Sequence, residues 1–270
     1  MGVATPPSPT GESSVGTARM SFAFNTAVAI SNGLTITSAM SCAGAYLYKA
    51  PWRQHAGRPL WASATLIGLT LATFAAQVTV PAVLATMRLS DGLMSGEWWR
   101  LITPLFVQPY GVYQLLFNVV FLVVFAPLVE RLYGSRLWLL FLVSGAVGQL
   151  VNLTWRPGGG GSSTEVFGLM GAALAYVLWH YATVPRRYVV LALLGIGGAI
   201  IMRFTHDGHG PGLLTGALLG ALFQWRITAS TAHHHSVGAD GQAYGDAAVP
   251  AFRASERNPT PALRHRDRSP

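Results

Sequence analysis

Charge is what this sequence has least of: Asp, Glu, Lys and Arg make up 10% of its 270 residues, where soluble domains average roughly 25%. That scarcity excludes an ordinary water-soluble enzyme. Lysine is nearly absent, since 17 of the 18 basic residues are Arg, and the net charge of +8 is scattered between apolar runs. A chain without a basic patch is a poor nucleic-acid binder, so no nucleic-acid partner is expected. Cys42 is the sole cysteine, which excludes an intrachain disulfide and a Cys-based metal site. Residues 1–18 lack both a basic n-region and an apolar h-region, and Pro6 stands where a myristoylation signal requires Ser or Thr, so neither signal is expected.

What remains is apolar. Hydrophobic residues make up 51% of the chain, and the mean hydropathy is +0.40. Uncharged runs cover 59–87, 101–129, 137–155, 166–185, 188–202 and 210–225, six candidate spans of a multi-pass protein whose surroundings are a lipid bilayer. The last two are short for a hydrocarbon layer of about 30 Å unless they tilt, thin the membrane locally or extend past their flanking charges. A seventh run, 20–48, is diluted by Ser, Thr, Asn and Gly and is left open as an extra span, followed by a cytoplasmic linker to residue 58. Residues 1–20 and 227–270, rich in small, polar and charged residues, read as disordered tails. The run His233, His234, His235 in the second tail reads as solvated linker, not a metal site.

Cytoplasmic loops of membrane proteins carry the excess of Arg and Lys. One alternate set of loops holds Lys49, Arg53, Arg58, Arg131, Arg136, Arg186 and Arg187; the other holds Arg88, Arg100, Arg156 and Arg203. The richer set is therefore placed inside. Segments 88–112, 156–162 and 203–209 then lie outside, and the polar residues gather there. Pro104, Pro109 and Gly111 interrupt helix, so the start of the second run reads as a loop folded into the membrane surface. Trp98, Trp99 and Arg100 suit the headgroup region as amphipathic rings and a snorkelling cation.

Several polar groups on that outer side have the types needed for acyl transfer. Gln114 and Asn118 are four apart and share one helix face; the spacing fits a pair of converging donors and equally fits interhelical glue. A loop of four glycines, Gly158 to Gly161, leads into Ser162, Ser163, Thr164 and Glu165. Ser162 with Glu165 fits a capping box. Ser163 is unexplained by that box and sits where orphan N–H groups and the helix dipole would hold an oxyanion. It needs a base. His180 is on the same helix, roughly 25 Å away at 1.5 Å per residue, and is out of reach. His206 and His209 are both on the correct side, and Gly212, Gly216 and Gly220 extend from His209 as a small-residue stripe that allows close helix contact. Gly168 and Gly171 would receive it on the helix of Ser163, although such stripes also serve packing alone.

Five landmarks in order, Trp99-Arg100, Phe117-Asn118, Glu130 with Gly134-Ser135, Ser163 ahead of Phe167-Gly168-Leu169, and His209 ahead of the glycine stripe, resemble the rhomboid family of intramembrane serine proteases over residues 59–226. The resemblance implies an all-α, six-helix membrane bundle with no cofactor or metal. Ser163 would be the nucleophile, His209 the general base and acid, and Asn118 and Gln114 oxyanion donors beside the Ser163 N–H. Gly161, Trp99 and Arg100 would be supporting residues. With no third carboxylate in evidence, Phe167 would orient the imidazole by packing. The chain departs from the family pattern at Thr164, where a glycine usually follows the nucleophile, and at Gln108 and Gln114, which stand for two histidines.

Two functions are compatible with this. The first is an endopeptidase cutting transmembrane protein substrates at their extracytoplasmic end, in the cell membrane of a bacterium. The second is a non-catalytic relative that binds membrane helices. Retention of both Ser163 and His209 favours the first. A small transporter would require inverted repeats or ionisable groups at mid-membrane, and neither is present.

Overall fold

The computed structural model describes residues 12–49, 59–155 and 160–247. Eight α-helices follow in order: α1 (Glu12–Cys42), α2 (Trp61–Thr79), α3 (Pro81–Met87), α4 (Val112–Tyr133), α5 (Leu137–Trp155), α6 (Ser163–Trp179), α7 (Arg186–Phe204) and α8 (His209–Ala247). Among the described residues there is no strand, in keeping with an all-α membrane bundle. The chain divides into two units, Met1–Gln224 and Trp225–Pro270, the second containing the continuation of α8 to Ala247. Helix therefore includes residues 12–20 and 227–247 of the two expected tails; residues 1–11 and 248–270, like the linker 50–58 and the loop 156–159, lie outside the described residues.

Among the described residues, three stretches are long and apolar enough to cross a membrane, by length and composition: Trp61–Thr79, Val112–Trp155 and Arg186–Phe204. The second is two helices, α4 and α5, folded at a tight turn over Gly134–Arg136, where Gly134 adopts φ 66°. The 17-residue α6 is shorter and apolar on all sides because it is enclosed, with every residue from Thr164 to Ala175 buried. It packs against α1, α4, α5 and α7. Apolar and small side chains all round are what a helix at the centre of a bundle requires.

The Ser, Thr and Gly content that left the first segment ambiguous is explained by its neighbour. Ser31, Thr35 and Ser38 of α1 are buried. A side chain at Gly198 of α7 would meet Thr35 Oγ1 at 2.3 Å, and Thr35 donates to the Gly195 carbonyl at 3.2 Å. Small and hydroxylated residues let the two backbones approach and pair their polar atoms without water.

The N-terminus of α2 is closed by a carboxylate from another helix. Glu130 of α4 accepts from the Ala62 and Ser63 backbone N–H groups at 3.0 and 2.8 Å and from Ser63 Oγ at 2.5 Å. An anion there satisfies orphan donors and complements the helix dipole. A cavity of about 530 Å³ opens beside it, lined by Trp61, Glu130, Arg131 and Trp138 among others, and apart from the serine loop.

Between α3 and α4 the chain makes three short 3₁₀ turns, Asp91–Ser95, Trp98–Leu101 and Thr103–Leu105. Arg100 corrects the snorkelling expectation: it is buried, forms an ion pair with Glu97, and donates to the carbonyls of Ala85 at 3.1 Å and Arg88 at 2.8 Å. Carbonyls released at the end of α3 capture the guanidinium, so the cation fastens the loop and does not reach for headgroups. Trp98 and Trp99 remain exposed.

Helices α6 and α8 meet almost backbone to backbone. A Cβ at Gly212 would lie 2.5 Å from the Thr164 carbonyl oxygen, one at Gly216 would lie 1.9 Å from that of Gly168, and one at Gly171 would lie 2.1 Å from that of Leu213. On α7, by contrast, Gly197 has nothing within 4 Å of its Cβ position. Gly216→Ala is accordingly expected to force the helices apart and destabilise the bundle by about 1–3 kcal/mol. Gly197→Ala should be neutral or stabilising by roughly 0.5–1 kcal/mol through helix propensity. Thermal unfolding of both variants in detergent, with equal midpoints as the contrary result, checks the contact.

Candidate active site

Ser163 is the first residue of α6 and is half-buried. The chain enters that helix through Gly161, whose φ of 112° lies outside what side-chain-bearing residues readily adopt. Its N–H donates to the Pro104 carbonyl at 2.9 Å, and a Cβ there would fall 2.0 Å from Gln114 Nε2. The backbone conformation alone demands glycine, and a side chain there would in addition displace the end of Gln114. The expected capping box does not form. Ser162 makes no side-chain cap bond; its hydroxyl is buried and accepts from Gln108 Nε2 at 3.0 Å. Glu165 turns inward, its side chain lying where a Cβ at Gly145 of α5 would have to sit.

His209 opens α8. Its Nε2 stands 3.0 Å from Ser163 Oγ. The Phe167 ring lies 4.6 Å from the imidazole, centroid to centroid, at 33°. His180 is at the far end of α6, its Nδ1 2.9 Å from the Tyr176 carbonyl oxygen. His206 adopts a positive φ of 53°, and its ring packs edge-on against Trp155 at 5.0 Å.

On its other side the imidazole meets a group that the sequence reading overlooked. Asp207 Oδ1 lies 2.6 Å from His209 Nδ1 and also accepts the His209 backbone N–H at 3.0 Å. Asp207 Oδ2 accepts from Asn32 Nδ2 of α1 at 2.7 Å. Burial alone would raise the Asp207 carboxyl, but the bond to His209, the charge of that ring and the Asn32 amide outweigh it and hold the group well below the usual carboxylate range. An ionised carboxylate only accepts, so the His209 nitrogen that faces it, Nδ1, is a protonated one, and the other, Nε2, faces the serine hydroxyl. The expectation of no third carboxylate is therefore corrected. The spacing Asp-x-His was visible in the chain; Asn32, 175 residues from Asp207, had no sequence signal.

The two amides expected to converge on Ser163 separate. Gln114 is half-buried on the cavity wall, donating to the Gly160 carbonyl at 3.1 Å and accepting from the Tyr110 N–H at 3.0 Å. Asn118 is fully buried and donates to Gln108 Oε1 at 2.7 Å. Gln108 is a junction, since its backbone also exchanges two hydrogen bonds with the Gln77 amide of α2, at 2.8 and 2.9 Å. Thr164 follows Ser163 at the position where the resemblance has glycine. Its methyl is directed between the helices, 2.1 Å from a Cβ position at Gly148 and 2.7 Å from one at Gly212.

These groups surround a cavity of about 190 Å³ lined by Gln114, Gln149, Asn152, Ser163, Thr164, His206, Asp207 and His209 among others. It is polar and holds the Ser163 and His209 side chains. Among the described residues there is no cluster of three or more His, Cys, Asp or Glu that would hold a metal ion.

Residues 95–247 match the family model described as the rhomboid domain. The chain is 32% identical over 136 residues to Rhomboid protease GluP of Bacillus subtilis (strain 168), an alignment that covers 48% of this chain and 27% of GluP. It is 33% identical over 140 residues to the putative rhomboid protease YdcA of the same organism, covering 48% of this chain and 70% of YdcA. RHOMBOID-like protein 1 of Arabidopsis thaliana is 29% identical over 136 residues, covering 47% of this chain and 35% of that protein. With the family model spanning more than half of its residues and helices packed around a serine at the head of an enclosed apolar helix, this chain belongs to the rhomboid family.

Proposed function

We propose that residues 59–226 form an intramembrane serine endopeptidase acting on transmembrane protein substrates. The observation that carries this reading is the 3.0 Å approach of His209 Nε2 to Ser163 Oγ across the α6–α8 contact. A serine hydroxyl is a weak nucleophile until an adjacent base accepts its proton. Ser163 Oγ attacks the scissile carbonyl carbon as its proton passes to His209 Nε2. The imidazolium then protonates the leaving amine, and water, activated by the same ring, releases the acyl group. The oxyanion faces the N–H groups at the start of α6, where the helix dipole favours negative charge. The 17 residues of α6 measure about 26 Å, less than the bilayer core, so the nucleophile sits below the membrane surface and water reaches it through the polar cavity.

Ser163→Ala and His209→Ala are each expected to abolish cleavage without unfolding the bundle, whereas His206→Ala should keep most of it. Ser162→Ala should also cleave, at a stability cost of about 1–3 kcal/mol for the stranded Gln108 amide. The assay is turnover of a reporter whose transmembrane helix contains small, helix-weakening residues, in liposomes, with fluorophosphonate labelling of Ser163 in parallel. If the wild type cleaves nothing across a broad panel and Ser163 stays unlabelled, a helix-binding role replaces catalysis.

The amide geometry reorders the oxyanion candidates. Gln114, on the cavity wall, is proposed as the side-chain donor, and Gln114→Ala should lower kcat on the order of 10²-fold. Asn118→Ala should act through folding, lowering the unfolding midpoint because Gln108 loses its partner. A collapse of kcat in Asn118→Ala at unchanged stability would return the donor role to Asn118.

The reaction is proposed to face the extracytoplasmic side of the cell membrane. Cys42 is buried, so single cysteines report cleanly. An Asp91→Cys variant should react with an impermeant maleimide in intact cells, and a Thr183→Cys variant only after permeabilisation. The reverse pattern would invert the topology.

A further inference from the structure

A serine and a histidine alone do not account for the turn that carries the base. Asp207 could be read as the cap of α8, because its Oδ1 accepts the His209 backbone N–H at 3.0 Å. Ser or Asn would serve as well for that purpose. A cap does not require the same oxygen to lie 2.6 Å from the His209 ring, nor the other oxygen to be held from a different helix. Asn32 uses both amide hydrogens, one on the Val28 carbonyl of its own helix at 3.0 Å and one on Asp207 Oδ2 at 2.7 Å. The carboxylate is thus fixed by three donors, with its side chain 11% exposed.

We propose that Asp207 completes a Ser163–His209–Asp207 triad as the residue that positions the base, and that Asn32 brings α1 into the site by fixing Asp207. The inference rests on the reading of Ser163 as nucleophile and His209 as base. Asp207 takes no proton in the reaction. It keeps His209 in the Nδ1–H form, so that Nε2 is free for the serine proton, and it faces the imidazolium formed when that proton arrives. Phe167 then covers one face of a ring whose edge is already set by Asp207. The segment before residue 59 is therefore part of the catalytic unit and not an appendage.

The test uses the full chain in liposomes. Asp207→Asn should lower kcat by about 10²- to 10⁴-fold with KM and the unfolding midpoint near wild type. Asp207→Ser, which keeps a helix cap without the charge, should fall by a similar factor and carries the reading if the Asn variant fails to fold. Asn32→Ala should lose about tenfold, the scale of one hydrogen bond to a charged group. A second measurement needs no turnover: ¹⁵N-histidine NMR, with His209→Gln identifying the signal, should show Nδ1–H in the wild type and a shift toward Nε2–H in Asp207→Asn. If Asp207→Asn and Asp207→Ser cleave as the wild type does, the triad falls and the protease reading stands. If the wild type is inert and unlabelled by fluorophosphonate, yet the tautomer still follows Asp207, the protease reading falls and the positioning of His209 stands. An unchanged tautomer in Asp207→Asn overturns the positioning role.

Discussion

The contact on which this molecule turns is the close approach of the α6 and α8 backbones along their glycines. A Cβ at Gly216 would fall 1.9 Å from the Gly168 carbonyl oxygen, so the interface exists only as glycine. Ser163 and His209 each stand at the first residue of one of these helices. Their separation follows from the distance between the two axes. In lipid there is no hydrophobic gain from pairing apolar helices, and close van der Waals packing between small residues has to supply the association. The same stripe that closes the bundle therefore brings the two polar side chains within hydrogen-bond reach.

Around that contact, polar groups are joined by pairing with one another. Gln108 links Gln77 of α2, Asn118 of α4 and Ser162 at the head of α6, and none of these bonds needs water. In an apolar surrounding an unpaired amide is costly, so the partners of such a junction support one another. It ties the re-entrant loop to three helices and sets where the serine loop enters. Arg100 does the equivalent work farther back on the loop, with backbone carbonyls and Glu97 as partners.

The apolar runs made the helices legible, because a bilayer leaves few ways to satisfy a backbone. The glycine stripe identified the helix face that approaches α6, and the order Ser163, His209 could be read from which side each helix end lay on. Other features depended on information that a linear pattern does not hold. Asn118 and Gln114 share a helix face, yet one amide is turned into the Gln108 junction and the other onto the Gly160 carbonyl, a choice made by neighbours distant in sequence. Ser162 and Glu165 have the spacing of a capping box, but Gln108 competes for the hydroxyl and the glutamate fills the space beside Gly145. Asn32 reaches Asp207 only because α1 lies along α7. The hydroxyl-rich composition that made α1 hard to classify is the same feature that lets it pack there.

The junction at Gln108 has one more consequence. Where the family commonly writes histidine, this chain has Gln108 and Gln114, and carboxamides do not change charge anywhere in the range where imidazole does, about pH 5 to 8. The Gln108 part of the loop's seat, on Gln77, Asn118 and Ser162, is consequently held without any titrating group. The three contacts of Gln108 therefore keep the same donors and acceptors whatever the medium, so the entry of the serine loop is set by neutral amides and a hydroxyl.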